Sequence, residues 1–133
     1  MAGKHKGRIL VVDDEADAVE FVRAILEDAG YDVSSAPTGD QGVQTARTVM
    51  PSLVILDVQM PGKDGFSAFA DMKKDPELKA IPVVMLTGVR KRLGLPFSSR
   101  DMGEYLGEEP DAYVEKPVDP KVLQETVRGL LGE

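Results

Sequence analysis

Short apolar runs, each followed by a stretch of helical periodicity, constrain this chain more than any other feature. Arg8-Ile9-Leu10-Val11-Val12, Leu53-Val54-Ile55-Leu56-Asp57 and Pro82-Val83-Val84-Met85-Leu86 contain almost no polar alternation. Runs of that length read as strands covered on both faces. Tyr31 to Ala36 is more polar and reads as a strand nearer a sheet edge, and Ala112 to Glu115 as a fifth, short strand.

Between the strands the apolar spacing becomes helical. Ala18, Val19, Val22, Ile25, Leu26 and Ala29 share one face, and Gly30 fits a C-terminal cap. Thr38-Gly39-Asp40-Gln41 has the form of a capping box and opens a helix that turns Val43, Ala46 and Val49 inward. Met50-Pro51 ends it. A third helix, from about Asp64 to Lys74, offers Phe66, Phe69, Ala70 and Met72 to the core before Asp75-Pro76 closes it. Asp119 caps the last helix, with Pro120 at its first position and Val122, Leu123, Val127, Leu130 and Leu131 inward.

Strands alternating with helices imply an α/β domain: a parallel, doubly wound sheet with helices on both faces and right-handed crossovers. The 133 residues suit one domain, 1–133, with a polar N-terminal tail at 1–7. Gly88 to Pro110 is the ambiguous part. Gly94, Gly103, Gly107 and Pro96 within it weaken any long helix and leave room for one or two short ones around Ser99 to Leu106.

Composition removes several function classes. The net charge of −7 disfavours nucleic acid and anionic membrane, and Arg90-Lys91-Arg92 is too short a run to reverse that. No apolar run approaches the roughly 20 residues of a membrane helix, and the N-terminus lacks the apolar core of a signal peptide. A cytoplasmic location is the default. Without cysteine, and with His5 alone in the tail, disulfides, thiolate chemistry and Cys/His zinc sites are excluded.

The chemistry gathers at strand ends. The first strand runs into Asp13-Asp14-Glu15, the third ends on Asp57, the fourth on Thr87 and the fifth near Lys116. Parallel strands bring these ends to one edge of the sheet, where open α/β sheets place their sites. Crowded carboxylates repel, and a divalent cation relieves the repulsion. Oxygen-only ligands select a hard ion, Mg²⁺ or alternatively Mn²⁺. One lysine and one hydroxyl complete a pocket for an incoming phosphoryl group, with Asp57 the best candidate nucleophile. Each piece alone has a plainer reading: helix-start acids, a strand-end threonine, a solvated lysine, a turn-forming aspartate. Their coincidence at four strand ends favours the site.

VVDDE at 11–15, LVILDVQMPGKDGF at 53–66, VVMLTG at 83–88 and YVEKP at 113–117 together resemble the receiver domain of two-component response regulators. The resemblance covers nearly the whole chain. It implies the flavodoxin-like receiver fold, a five-stranded parallel sheet in order 2-1-3-4-5 flanked by five helices. It also implies roles: Asp57 as phosphoacceptor, and Asp14, Asp57 and the Gln59 carbonyl as direct Mg²⁺ ligands, with Asp13 acting through water. Thr87 and Lys116 would bind phosphoryl oxygens, and Tyr113 would be the switch aromatic that follows Thr87. Gln59 and Val89 would tune hydrolysis, small Gly88 would leave the approach open, and Lys116-Pro117 would be cis.

The implied donor is a histidine kinase or histidine phosphotransfer protein. The implied output is a change in protein contacts with an unknown downstream target, with no direct nucleic acid and no membrane. Such a domain is a signalling switch that catalyses its own phosphorylation and slow dephosphorylation, not an enzyme with an outside substrate. The chain stops soon after the last helix, so a stand-alone receiver is the expectation. Thr87 and Lys116 are 29 positions apart, more than receivers usually show, so residues 89–111 form a lengthened, atypical segment. The competing reading is a receiver-fold interaction module that works without phosphorylation. An aspartyl phosphatase fits less well, because Gln59 stands where that chemistry commonly has an acid. No Gly-rich dinucleotide fingerprint or P-loop is present.

Overall fold

The computed structural model describes residues 7–58, 65–88 and 110–132. Five strands form one parallel sheet: β1 (Arg8–Val12), β2 (Asp32–Ala36), β3 (Leu53–Asp57), β4 (Val83–Thr87) and β5 (Ala112–Glu115). Their order is β2-β1-β3-β4-β5, as the resemblance implied. Four helices lie among the described residues: α1 (Ala16–Asp28), α2 (Gly39–Val49), α3 (Gly65–Lys74) and α4 (Pro120–Leu130). The tail with His5, the stretch 59–64 and the segment 89–109 fall outside the described residues, and with them Gln59, Val89, Arg90-Lys91-Arg92 and the short helices expected near Ser99.

The sheet has a core on each face. Leu10, Val12, Val54, Leu56, Val83 and Met85 point to the side of α2 and α3, where Ala46, Ala68, Phe69 and Met72 meet them. Ile9, Val11, Leu53, Ile55, Val84 and Leu86 point to the side of α1 and α4, against Val22, Leu26, Leu123 and Val127. Strand alternation divides each run between the two cores, so β3 and β4 are buried at every position. β2 and β5 carry exposed residues and lie at the two edges. Arg23 of α1 donates to the Val33 carbonyl at 2.8 Å and covers part of the open β2 edge.

The local signals mostly hold. Thr38 accepts the Gln41 N–H at 3.1 Å, a cap that contributes about 1 kcal/mol. Gly30 follows α1 at φ 101°, and Met50 ends α2 in the left-handed region at φ 46°. Asp119 accepts the N–H groups of Lys121 and Val122 at the start of α4. Three core assignments change. Val49, in the last turn of α2, is only half-buried, while Val43 and Ala46 fill the core. Val122 is exposed, because α4 packs through Leu123 and Val127 and turns Val122 away from them. In α3, Ala68 rather than Ala70 is buried beside Phe69. Among the described residues no helix is long and apolar enough to cross a membrane.

Candidate functional site

The carboxyl ends of β1, β3, β4 and β5 bring the acids, the threonine and the lysine to one edge of the sheet. Asp13 follows β1 and is buried. Its backbone N–H donates to the Ala36 carbonyl at 3.1 Å, which ties it to the end of β2. Its Oδ1 accepts the Glu15 N–H at 3.0 Å, a two-residue turn that locks the carboxylate. Its Oδ2 is buried without a hydrogen-bond partner among the described residues. A buried carboxylate oxygen in that state is costly, so something of opposite charge belongs beside it.

Two groups of opposite charge can meet that need. Lys116 Nζ lies 3.6 Å from Asp13 Oδ2. The second is a cation: Asp13, Asp14 and Asp57 each present a carboxylate oxygen, all within 4.8 Å of one another. Three hard oxygen donors suit Mg²⁺, which keeps several waters and takes few protein ligands. Asp14 is exposed while Asp13 and Asp57 are buried, so the cluster opens to solvent on the Asp14 side.

Asp57 is the last residue of β3 and is 4% exposed. Its Oδ1 accepts from Lys116 Nζ at 3.0 Å. Burial alone would lower the proton affinity of the Lys116 ammonium. The hydrogen bond and charge of Asp57, with the charges of Asp13 and Glu15, outweigh that and hold its pKa above 10.5. Lys116 is carried in by β5: its backbone N–H donates to the Thr87 carbonyl at 2.9 Å, and the following Lys116-Pro117 bond is cis.

Thr87 ends β4, and its buried Oγ1 has no hydrogen-bond partner among the described residues. It stands at the same edge as the acids but is not bonded to them. Alternation puts Thr87 on the face of Val83 and Met85. Asp57 falls on the face of Leu53 and Ile55. Tyr113 is paired with Met85, one diagonal step from Thr87 on the same face, and is half-buried against the α2–α3 core with Phe66.

Two contributors escaped the sequence reading. The Glu15 backbone N–H orients Asp13, a role a side-chain pattern does not display. Gly65 starts α3 and donates its N–H to the Val58 carbonyl at 3.0 Å. A Cβ at Gly65 would stand 2.3 Å from the Asp57 carbonyl oxygen, so the helix start reaches the end of β3 only as glycine. The signal was present, since Asp64-Gly65 follows Pro61-Gly62, but it reads equally as an ordinary loop.

The model of the response regulator receiver domain matches residues 9–128. The chain is 35% identical over 126 residues to protein PilH of Pseudomonas aeruginosa, covering 93% of this chain and 97% of PilH. It is 35% identical to ycf27 of Porphyridium aerugineum over 95% of this chain, but spans only 48% of that protein. Among solved structures it superposes on the chemotaxis protein CheY4 of Vibrio cholerae with a TM-score of 0.78 and 27% identity, covering 92% of this chain and 97% of CheY4. With the strand order, the acid cluster and the Lys116–Asp57 contact already in place, these matches make the chain a member of the response regulator receiver family of two-component signalling.

Proposed function

We propose that this receiver accepts a phosphoryl group on Asp57 and uses it to switch protein contacts. The observation that carries the reading is the convergence of Asp13, Asp14 and Asp57 with Lys116, whose ammonium already rests on the Asp57 carboxylate. In this reading the donor is a phosphohistidine on a histidine kinase or phosphotransfer protein. An Asp57 oxygen attacks phosphorus, the P–N bond breaks and the histidine leaves. Asp13, Asp14 and Asp57, with the Gln59 carbonyl, would hold Mg²⁺ or Mn²⁺, which supplies charge neutralisation for the transferring group.

The protein's own groups do the rest. Lys116 moves from Asp57 onto a phosphoryl oxygen, keeping its charge in the site. Thr87 Oγ1, buried and without a partner among the described residues, donates to another phosphoryl oxygen. Tyr113, on the same face as Thr87, follows it and carries the change to the surface. Water later hydrolyses the acyl phosphate at a rate that Gln59 and Val89 would tune. The chain would act in the cytoplasm.

Intact mass after incubation with a small acyl-phosphate donor and Mg²⁺ tests the reading. One phosphoryl adduct is expected, absent in Asp57→Asn and absent with a chelator. A folded, Mg²⁺-replete protein that takes up none would point instead to an interaction module working without phosphorylation.

A further inference from the structure

Asp111 lies just before β5 and bonds twice to a single residue of β4. Its backbone N–H donates to the Val83 carbonyl at 2.9 Å. Its Oδ2 accepts the Val83 N–H at 2.8 Å. The first is a sheet bond. The second puts a carboxylate where a parallel ladder would use a backbone carbonyl. At the far end of β5, the Lys116 N–H donates to the Thr87 carbonyl at 2.9 Å. These bonds bracket the strand.

β5 needs such bracketing. It has four residues, forms a sheet edge and buries only Val114. A strand with so little buried pattern specifies its own register weakly. A slip by one residue would shift β5 by about 3.3 Å and exchange its faces. Lys116 Nζ sits 3.0 Å from Asp57 Oδ1, and Tyr113 shares the face of Thr87. Neither relation would survive that slip.

We propose that Asp111 is a positioning residue for Lys116: by holding both backbone groups of Val83 it sets the β5 register that delivers the lysine to Asp57. The proposal rests on the phosphoryl-transfer reading of the site. Asp111 touches none of the reacting groups and acts five positions away along the strand. It is exposed, so water can take over the Val83 N–H when the carboxylate is removed. The fold then survives and the loss falls on the register.

The test compares Asp111→Ala and Asp111→Asn in the full chain, each with Lys116 present and with Lys116→Ala. Asparagine keeps the acceptor oxygen. With a small acyl-phosphate donor and Mg²⁺, Asp111→Ala is expected to slow adduct formation on the order of tenfold. Asp111→Asn should stay within about twofold of the parent, since it still accepts from Val83. In the Lys116→Ala background, Asp111→Ala should cause no further loss. Without donor, the Lys116 amide should exchange faster in Asp111→Ala but not in Asp111→Asn, while the Val11 and Ile55 amides stay protected. Parent-like rates and Lys116 exchange in Asp111→Ala would overturn the proposal, as would an equal loss without Lys116. If the parent takes no phosphoryl group, the phosphotransfer reading fails, and the donor-free exchange decides the role of Asp111 by itself.

Discussion

Lys116 Nζ donates to Asp57 Oδ1 across 3.0 Å, joining the ends of two strands that are not neighbours. β4 lies between them, so the contact spans the sheet edge above Thr87. The same ammonium lies 3.6 Å from Asp13 Oδ2. One lysine therefore serves two buried carboxylates.

Removing that charge should destabilise the metal-free protein. Lys116→Ala leaves Asp13 and Asp57 facing each other without their shared cation. We expect a loss of about 1–3 kcal/mol at neutral pH, less than the roughly 3–5 kcal/mol of breaking a fully buried pair because the Lys116 side chain is 29% exposed. Urea unfolding in chelator measures it. Added Mg²⁺ should recover part of the loss, because three carboxylate oxygens remain for the ion. An unchanged urea midpoint in chelator would mean the pair contributes nothing.

The pH dependence has a definite sign at each end. The Lys116 pKa is raised above 10.5, so its contribution is complete below pH 10.5 and is lost as pH rises through the raised value. Metal-free protein should weaken in that alkaline range, and the slope should flatten in Lys116→Ala. Asp75 behaves oppositely. The hydrogen bond from Arg47 holds it below 3.8, so its contribution is present above pH 3.8 and is lost as pH falls through the lowered value. Arg47→Ala should raise the Asp75 titration seen by carboxyl NMR.

Thr87→Val separates stability from switching. The Thr87 hydroxyl is buried without a partner among the described residues, so an isosteric methyl removes an unsatisfied group. The unphosphorylated protein should be as stable as the parent or up to about 1 kcal/mol more stable. On the proposed mechanism, the Tyr113 ring resonances in NMR should shift less with acyl phosphate and Mg²⁺. A marked loss of thermal stability would show that the hydroxyl is already bonded in the resting state.

Two glycines should respond in opposite directions. Gly65→Ala puts a carbon 2.3 Å from the backbone oxygen of Asp57, which cannot rotate away. A cost of about 2–4 kcal/mol is expected, with weaker Mg²⁺ binding as the end of β3 shifts. At Gly129, inside α4, an added Cβ meets nothing within 4 Å among the described residues. Gly129→Ala should stabilise by about 0.5–1 kcal/mol. Thermal melts of both variants decide the pair.

The sequence alone determined the elements and the edge at which the chemistry gathers. Ile9–Val12, Leu53–Leu56 and Val83–Leu86 have no polar alternation, and burial on both faces of a parallel sheet is the physical reason such runs exist. The Thr38 and Asp119 caps, the turn after Gly30 and the stop at Met50 are local bonds among neighbours, so they were legible too. The acids, Thr87 and Lys116 follow from their places at strand ends.

Tertiary structure decided what depends on distances between remote segments. Nothing local says that α4 buries Leu123 and Val127 but leaves Val122 in solvent, because its orientation is set by packing on the sheet. Nothing local says that Asp13 Oδ2 faces the Lys116 ammonium at 3.6 Å and shares a cluster with Asp57. The need for glycine at 65 and the Asp111 hold on Val83 also appear only once strands are in register. Periodicity reports which side of an element is apolar. Twist, crossover and register, summed over the whole chain, fix where one side chain stands against another.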